Sequence, residues 1–122
     1  MAATQSLLAL LRDPGTVALP PYASKPNATV GDPRDATLTL TDDPATGVSS
    51  GVWECTPGTF AKDAATYTEI CHFLSGRSII TAEDGTATET GPGEVVVFQH
   101  GWKGTWEVVE TVRKVWVVVS HG

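Results

Sequence analysis

The alternation of apolar and polar positions changes character near Ser49. Beyond it, short runs at 50–56, 59–62, 67–75, 77–82, 87–90, 95–99, 104–109 and 114–120 are separated by turn formers. These are Pro57-Gly58, Ser75-Gly76, Glu83-Asp84-Gly85, Gly91-Pro92-Gly93 and His100-Gly101. Period-two alternation with turns at regular spacing predicts an all-β sandwich or barrel. The last run contains Val115-Trp116-Val117-Val118-Val119, apolar at every position. It predicts a strand covered on both faces, by the barrel core on one and by another layer or a second subunit on the other, so a homodimer is expected. Before Ser49 the pattern is irregular. Residues 4–11 predict a short helix with Thr4 as N-cap and Asp13-Pro14-Gly15 as its stop. Pro20, Pro21, Pro26 and Pro33 keep 16–35 extended, with at most one edge strand. Residues 36–40 alternate Leu38 and Leu40 with threonines, which predicts a strand before a turn at 42–47. The expected organisation is a helix and extended arm (1–35) packed on a barrel (36–122).

Composition narrows the function. With 122 residues, 41% of them hydrophobic and 18% charged, the chain fits one globular domain. A net charge of −6 repels polyanions and no basic stripe is visible, so no nucleic acid partner is expected. The longest uncharged apolar run is too short to span a membrane. Residues 1–11 lack the basic start and the Ala-x-Ala site of a secretion signal, and the expected location is cytoplasmic. Cys55 and Cys71 are too few and too far apart for a zinc site; they read as core thiols, although a bridge between paired strands is geometrically open.

Three stretches carry a family resemblance: Gly51-Val52-Trp53-Glu54-Cys55-Thr56-Pro57-Gly58, Glu69-Ile70-Cys71-His72-Phe73-Leu74-Ser75-Gly76-Arg77 and Gly101-Trp102-Lys103-Gly104-Thr105-Trp106-Glu107-Val108, the last followed by Val112-Arg113-Lys114. Together, over about residues 31–120, they resemble the small single-domain cupins grouped with the ureidoglycine aminohydrolase cupin domain. The resemblance implies a double-stranded β-helix, the jelly-roll barrel, with a small-molecule pocket at its mouth. It also implies a divalent metal held by three histidines and a glutamate. Gly58, Glu69 and Gly76 match the frame of the first cupin motif, but the stretch implied to hold histidines reads Lys62-Asp63-Ala64-Ala65-Thr66. Gly104 stands where the second motif implies a histidine. Of the four implied ligands only Glu69 is kept, so no metal or other cofactor is expected.

Strand alternation from an inward Glu69 sends Tyr67, Cys71 and Phe73 inward and His72 outward, towards an interface or inter-sheet hydrogen bond. His100, in a turn, and His121, in the tail, read as solvated. An inward Gly104 likewise places Trp102 and Trp106 inward. Tyr67, Glu69, Cys71, Trp102 and Trp106 then either fill a small barrel or line a cavity. Such a cavity suits a flat or apolar ligand with a hydrogen-bond donor or cationic centre. Glu54 either reaches the barrel or pairs with Arg113 or Lys114. Lys62 reads first as a rim residue; turned inward, it pairs with Glu69 as an acid and base couple. Two functions follow from these residues: a small-molecule-binding cupin, or a metal-independent lyase, isomerase or dehydratase using Glu69 and Lys62. The family's aminohydrolase activity is the weakest reading, because that chemistry looks metal-dependent.

Overall fold

The computed structural model describes residues 7–122. Among them are nine strands and no helix: β1 (Ala23–Ser24), β2 (Ala28–Val30), β3 (Arg34–Asp43), β4 (Val48–Cys55), β5 (Gly58–Asp63), β6 (Tyr67–Ala82), β7 (Ala87–Thr90), β8 (Val95–Phe98) and β9 (Lys103–Ser120). All pair antiparallel in one curled sheet. The all-β architecture is that of the cupin jelly roll.

Two long strands, β6 and β9, form the spine and pair along most of their length. The other edge of β9 is shared, β5 taking its first half and β4 its second. The other edge of β6 takes β8 and then β7. The turn expected at Ser75-Gly76 and the gap between the runs at 104–109 and 114–120 are therefore not breaks. Both strands run through, because the register between them shifts around Gly76, whose φ of 85° lets β6 bulge. A side chain there would collide with the Thr111 carbonyl, so the bulge also brings the two backbones together.

The front segment differs from expectation in two respects. Part of the helix expected at 4–11 lies outside the described residues, and residues 7–11 are not helical. Leu7, Leu8 and Leu10 are exposed, and so short a helix does not hold without a buried face. The arm also supplies two edge strands rather than at most one: β1 extends β3, and β2 extends β5. Each is short enough to fit between prolines. Further back along the arm, Arg113 Nη1 donates to the carbonyls of Pro14 (3.0 Å) and Val17 (2.8 Å), holding the segment against β9.

The core is aromatic and centres on Trp106. Its ring packs against Trp53, Phe60, Phe73 and Phe98 at centroid distances of 5.2, 5.6, 6.0 and 5.4 Å. Tilted and edge-on contacts of this kind add to the apolar burial. Trp106 is 1% exposed, yet its Nε1–H has no acceptor among the described residues. Such a buried orphan donor costs about 1–3 kcal/mol.

Candidate functional site

A cavity of about 530 Å³ opens inside the curled sheet, in the size range of small-molecule sites. Its aromatic walls include Trp53 of β4, Phe60 of β5, Tyr67 of β6 and Trp106 of β9. Its floor is made of charge. Alternation along β6 buries Glu69, Cys71 and Phe73 and exposes Ile70 and His72. Register sets Trp53 opposite Lys114 and Phe60 opposite Trp106, so the lysine enters between aromatic rings. Two residues beyond Phe60, Lys62 points to the same side and reaches across the interior to β6.

The two lysines converge on Glu69. Lys62 Nζ donates to Glu69 Oε1, and Lys114 Nζ donates to Glu69 Oε2 at 2.7 Å. All three side chains are buried or nearly so, at 14, 4 and 5% exposure for Lys62, Lys114 and Glu69. Burial pushes the Glu69 carboxyl upward, but Lys114 and then Lys62 outweigh it and hold the group at about 2. For Lys62, burial opposes the charged form and the neighbouring Glu69 carboxylate prevails, raising its pKa. Both ammoniums also lie on ring faces. Lys114 Nζ is 4.6 Å from the centroids of Trp53 and Trp106, and Lys62 Nζ is 4.9 Å from that of Phe98 and 5.1 Å from that of Tyr67. A third lysine, Lys25, is bound to Asp35 at 2.9 Å, and that carboxylate also accepts the Trp53 Nε1–H at 2.9 Å.

Tyr67, Glu69, Lys62 and Trp106 thus share the cavity wall. Lys62 turns inward rather than standing on the rim, because Glu69 and the ring faces receive its ammonium. Cys71 faces inward but lies beneath the floor, 3.5 Å from Lys114 Nζ, and burial pushes its thiol up to about 11. Trp102 is half-buried and packs edge-on against Phe98, outside the cavity lining. It points inward in step with Gly104 and Trp106, as alternation predicts, but packs on the core rather than on the cavity. Glu54 faces the opposite side of the sheet, where Arg113 Nε donates to it at 2.9 Å and the Tyr22 hydroxyl donates as well. Cys55 and Cys71 are buried free thiols. His72, His100 and His121 are all exposed, and the last two stack at 4.5 Å and bond to Ala65 O and Thr68 Oγ1. Sequence reasoning missed Lys114, Lys25 and Trp53 as cavity residues. A signal for Lys114 was present: if Glu54 pairs outward with Arg113, the next residue of β9 must point in.

A family model for the EutQ-like cupin domain matches residues 43–116, from the end of β3 to the middle of the second half of β9. The chain belongs to the EutQ-like cupin family. Three solved structures illustrate the shared fold. The putative ethanolamine utilization protein Q of Salmonella typhimurium matches with a TM-score of 0.67 and 17% identity, covering 99% of this chain and 100% of that one. The Clostridium difficile EutQ protein matches with 0.64 and 21%, covering 73% and 70%. A DUF861-family protein from Pseudomonas syringae matches with 0.73 and 21%; this cupin covers 88% of itself but spans 46% of that longer chain. No curated protein matches the sequence.

The donors of this EutQ-like cupin do not fit the divalent metal that the cupin fold implies. Glu69 brings the carboxylate, but each of its oxygens already receives a lysine ammonium. Among the described residues, no three His, Cys, Asp or Glu side chains converge. At Gly104, where the cupin pattern implies a histidine, a side chain would collide with the Thr81 carbonyl and the Trp102 ring. Stable sites need three or four converging ligands. No helix among the described residues is long and apolar enough to cross a membrane.

Proposed function

We propose that this EutQ-like cupin binds a small molecule in its aromatic cavity, with two lysine ammoniums serving where other cupins use a metal cation. The observation that carries this reading is the capture of both Glu69 oxygens by buried ammoniums. The same observation disfavours a lyase, isomerase or dehydratase based on Glu69. A general base works best with a pKa near the working pH, and a carboxyl held at about 2 is a weak one. Lys62, kept protonated by Glu69, is equally unsuited to Schiff-base formation. Binding without catalysis is therefore the better use of these residues. The motifs resembling the ureidoglycine aminohydrolase cupins support kinship in fold, and we do not carry that hydrolysis over.

Elemental analysis of the purified protein, with melting curves in EDTA, tests the metal-free part. Substoichiometric divalent metal and an unchanged Tm are expected; a stoichiometric ion whose removal lowers Tm would overturn it. A homodimer belongs to the same proposal. It is supported by an apolar ladder on the outer face, where Ile70 lies between Val97 and Val117 and His72 between Val95 and Val115. Ile70, Val95 and Val97 are 41, 61 and 48% exposed. Light scattering should give twice the chain mass, and Val97→Asp should halve it. A cytoplasmic location completes the proposal and is consistent with two buried thiols left unbridged.

A further inference from the structure

The floor of the cavity is one anion short. Lys62 and Lys114 place two ammoniums against the single carboxylate of Glu69, in a site from which solvent is largely excluded. The other charges near the cavity do not correct this imbalance. Lys25 and Asp35 neutralise each other, and Asp63 lies exposed at the mouth, where its carboxylate accepts the Ala65 N–H. An ammonium has three donors, and each lysine of the floor keeps at least one without an oxygen acceptor: Lys62 meets Glu69 and Tyr67, and Lys114 meets Glu69 and the weak acceptor Cys71 Sγ. Trp106 lines the same cavity with its ring. Excess positive charge and spare ammonium N–H donors call for the same thing, an acceptor that carries negative charge.

Resting on the cavity-binding reading, we propose that the ligand is a small monocarboxylate with a flat or apolar body. Its carboxylate sits against Lys62 and Lys114 and completes two ammonium–carboxylate pairs, while its body lies among Trp53, Phe60, Tyr67 and Trp106. One negative charge balances the floor; a dianion such as phosphate overshoots it and carries no apolar surface for the walls. The cationic ligand that a free Glu69 would attract is excluded, because the protein's own lysines occupy that place.

Three aromatic probes of different charge test the assignment on the full chain, by tryptophan fluorescence and by thermal melting: benzoate, benzamide and benzylamine. Benzoate should bind about tenfold or more tightly than either of the others, and salt should weaken it. Lys62→Met should remove that preference and bring benzoate to parity with benzamide. The three-probe comparison on the unmodified protein does not need the variant to fold. Equal or tighter binding of benzamide or benzylamine overturns the anion assignment and leaves small-molecule binding standing. No response to any of the three at millimolar concentration overturns both. Ethanolamine, the compound for which the Salmonella relative is named, is a small cation and should give no response; saturable binding of it overturns the assignment as well.

Discussion

Arg113 and Lys114 are adjacent on β9, yet they enter ion clusters of opposite kinds. Alternation sends Arg113 to the outer face and Lys114 to the inner one. The outer cluster is complete. Arg113 is matched by Glu54 one to one, and its remaining reach is used on the carbonyls of Pro14 and Val17, with Tyr22 closing on Glu54. The inner cluster has two cations for one anion. A satisfied buried network rigidifies a fold, whereas an unsatisfied one marks a place where something else binds. The pair teaches that burial of charge alone does not identify a site. The balance of donors and acceptors does.

The inner cluster is tested most severely by Glu69→Gln. It leaves two ammoniums without their counterion, so stability should fall by about 3–5 kcal/mol in urea melts. Adding Lys62→Met should recover part of that loss, and an unchanged midpoint for Glu69→Gln would mean that the three residues do not act as a unit. Acid should produce the next largest effect. A carboxyl held at about 2 in the fold, against an ordinary value near 4.5, stabilises the protein above that ordinary value. The stabilisation, on the order of 2–3 kcal/mol, disappears as pH falls from about 4.5 through 2. In Glu69→Gln this acid limb should be missing. At the other extreme, the Cys71 thiol ionises near 9 when unfolded and at about 11 when buried, so stability should decline as pH rises through that interval. Cys71→Ala should make the decline shallower, and the buried Cys55 thiol, pushed up to about 12, should supply what remains.

Arg113→Met comes third. It removes an ion pair and two carbonyl contacts and should cost about 2 kcal/mol. It should also expose the segment near residues 14–22 to proteolysis while benzoate binding stays unchanged. A change in binding would show that the two faces communicate. The smallest effect is expected from Tyr22→Phe, which loses one exposed hydrogen bond to Glu54 and should cost less than about 1 kcal/mol.

Much of the barrel can be read from residue order alone, because alternation on β6 is strict enough to place Glu69, Cys71, His72 and Phe73 on their observed faces. The pairing of Glu54 with Arg113 was one of the alternatives left open, and the register of β4 with β9 selects it. What could not be read has physical causes. The continuity of β6 through Gly76 depends on a long-range fit against Thr111, while local turn chemistry at Ser75-Gly76 suggests a stop. The inward turn of Lys62 depends on Glu69 lying across the barrel on a strand with which β5 does not pair. The cavity itself is divided from the filled core by register, which leaves Trp102 outside and brings in Trp53.

The shared use of β9 has a consequence for how the protein is made. Strands β4, β5 and β6 all wait for residues 103–120, with the pairing of Cys55 to Val112 and of Val48 to Val119 bridging roughly sixty residues or more. As the chain leaves the ribosome, these strands have only outer neighbours, and the aromatic side chains of Trp53, Phe60 and Phe73 face an unclosed interior. The barrel cannot close until that keystone arrives, and until then its open strand edges are where the nascent chain is vulnerable to the wrong partner.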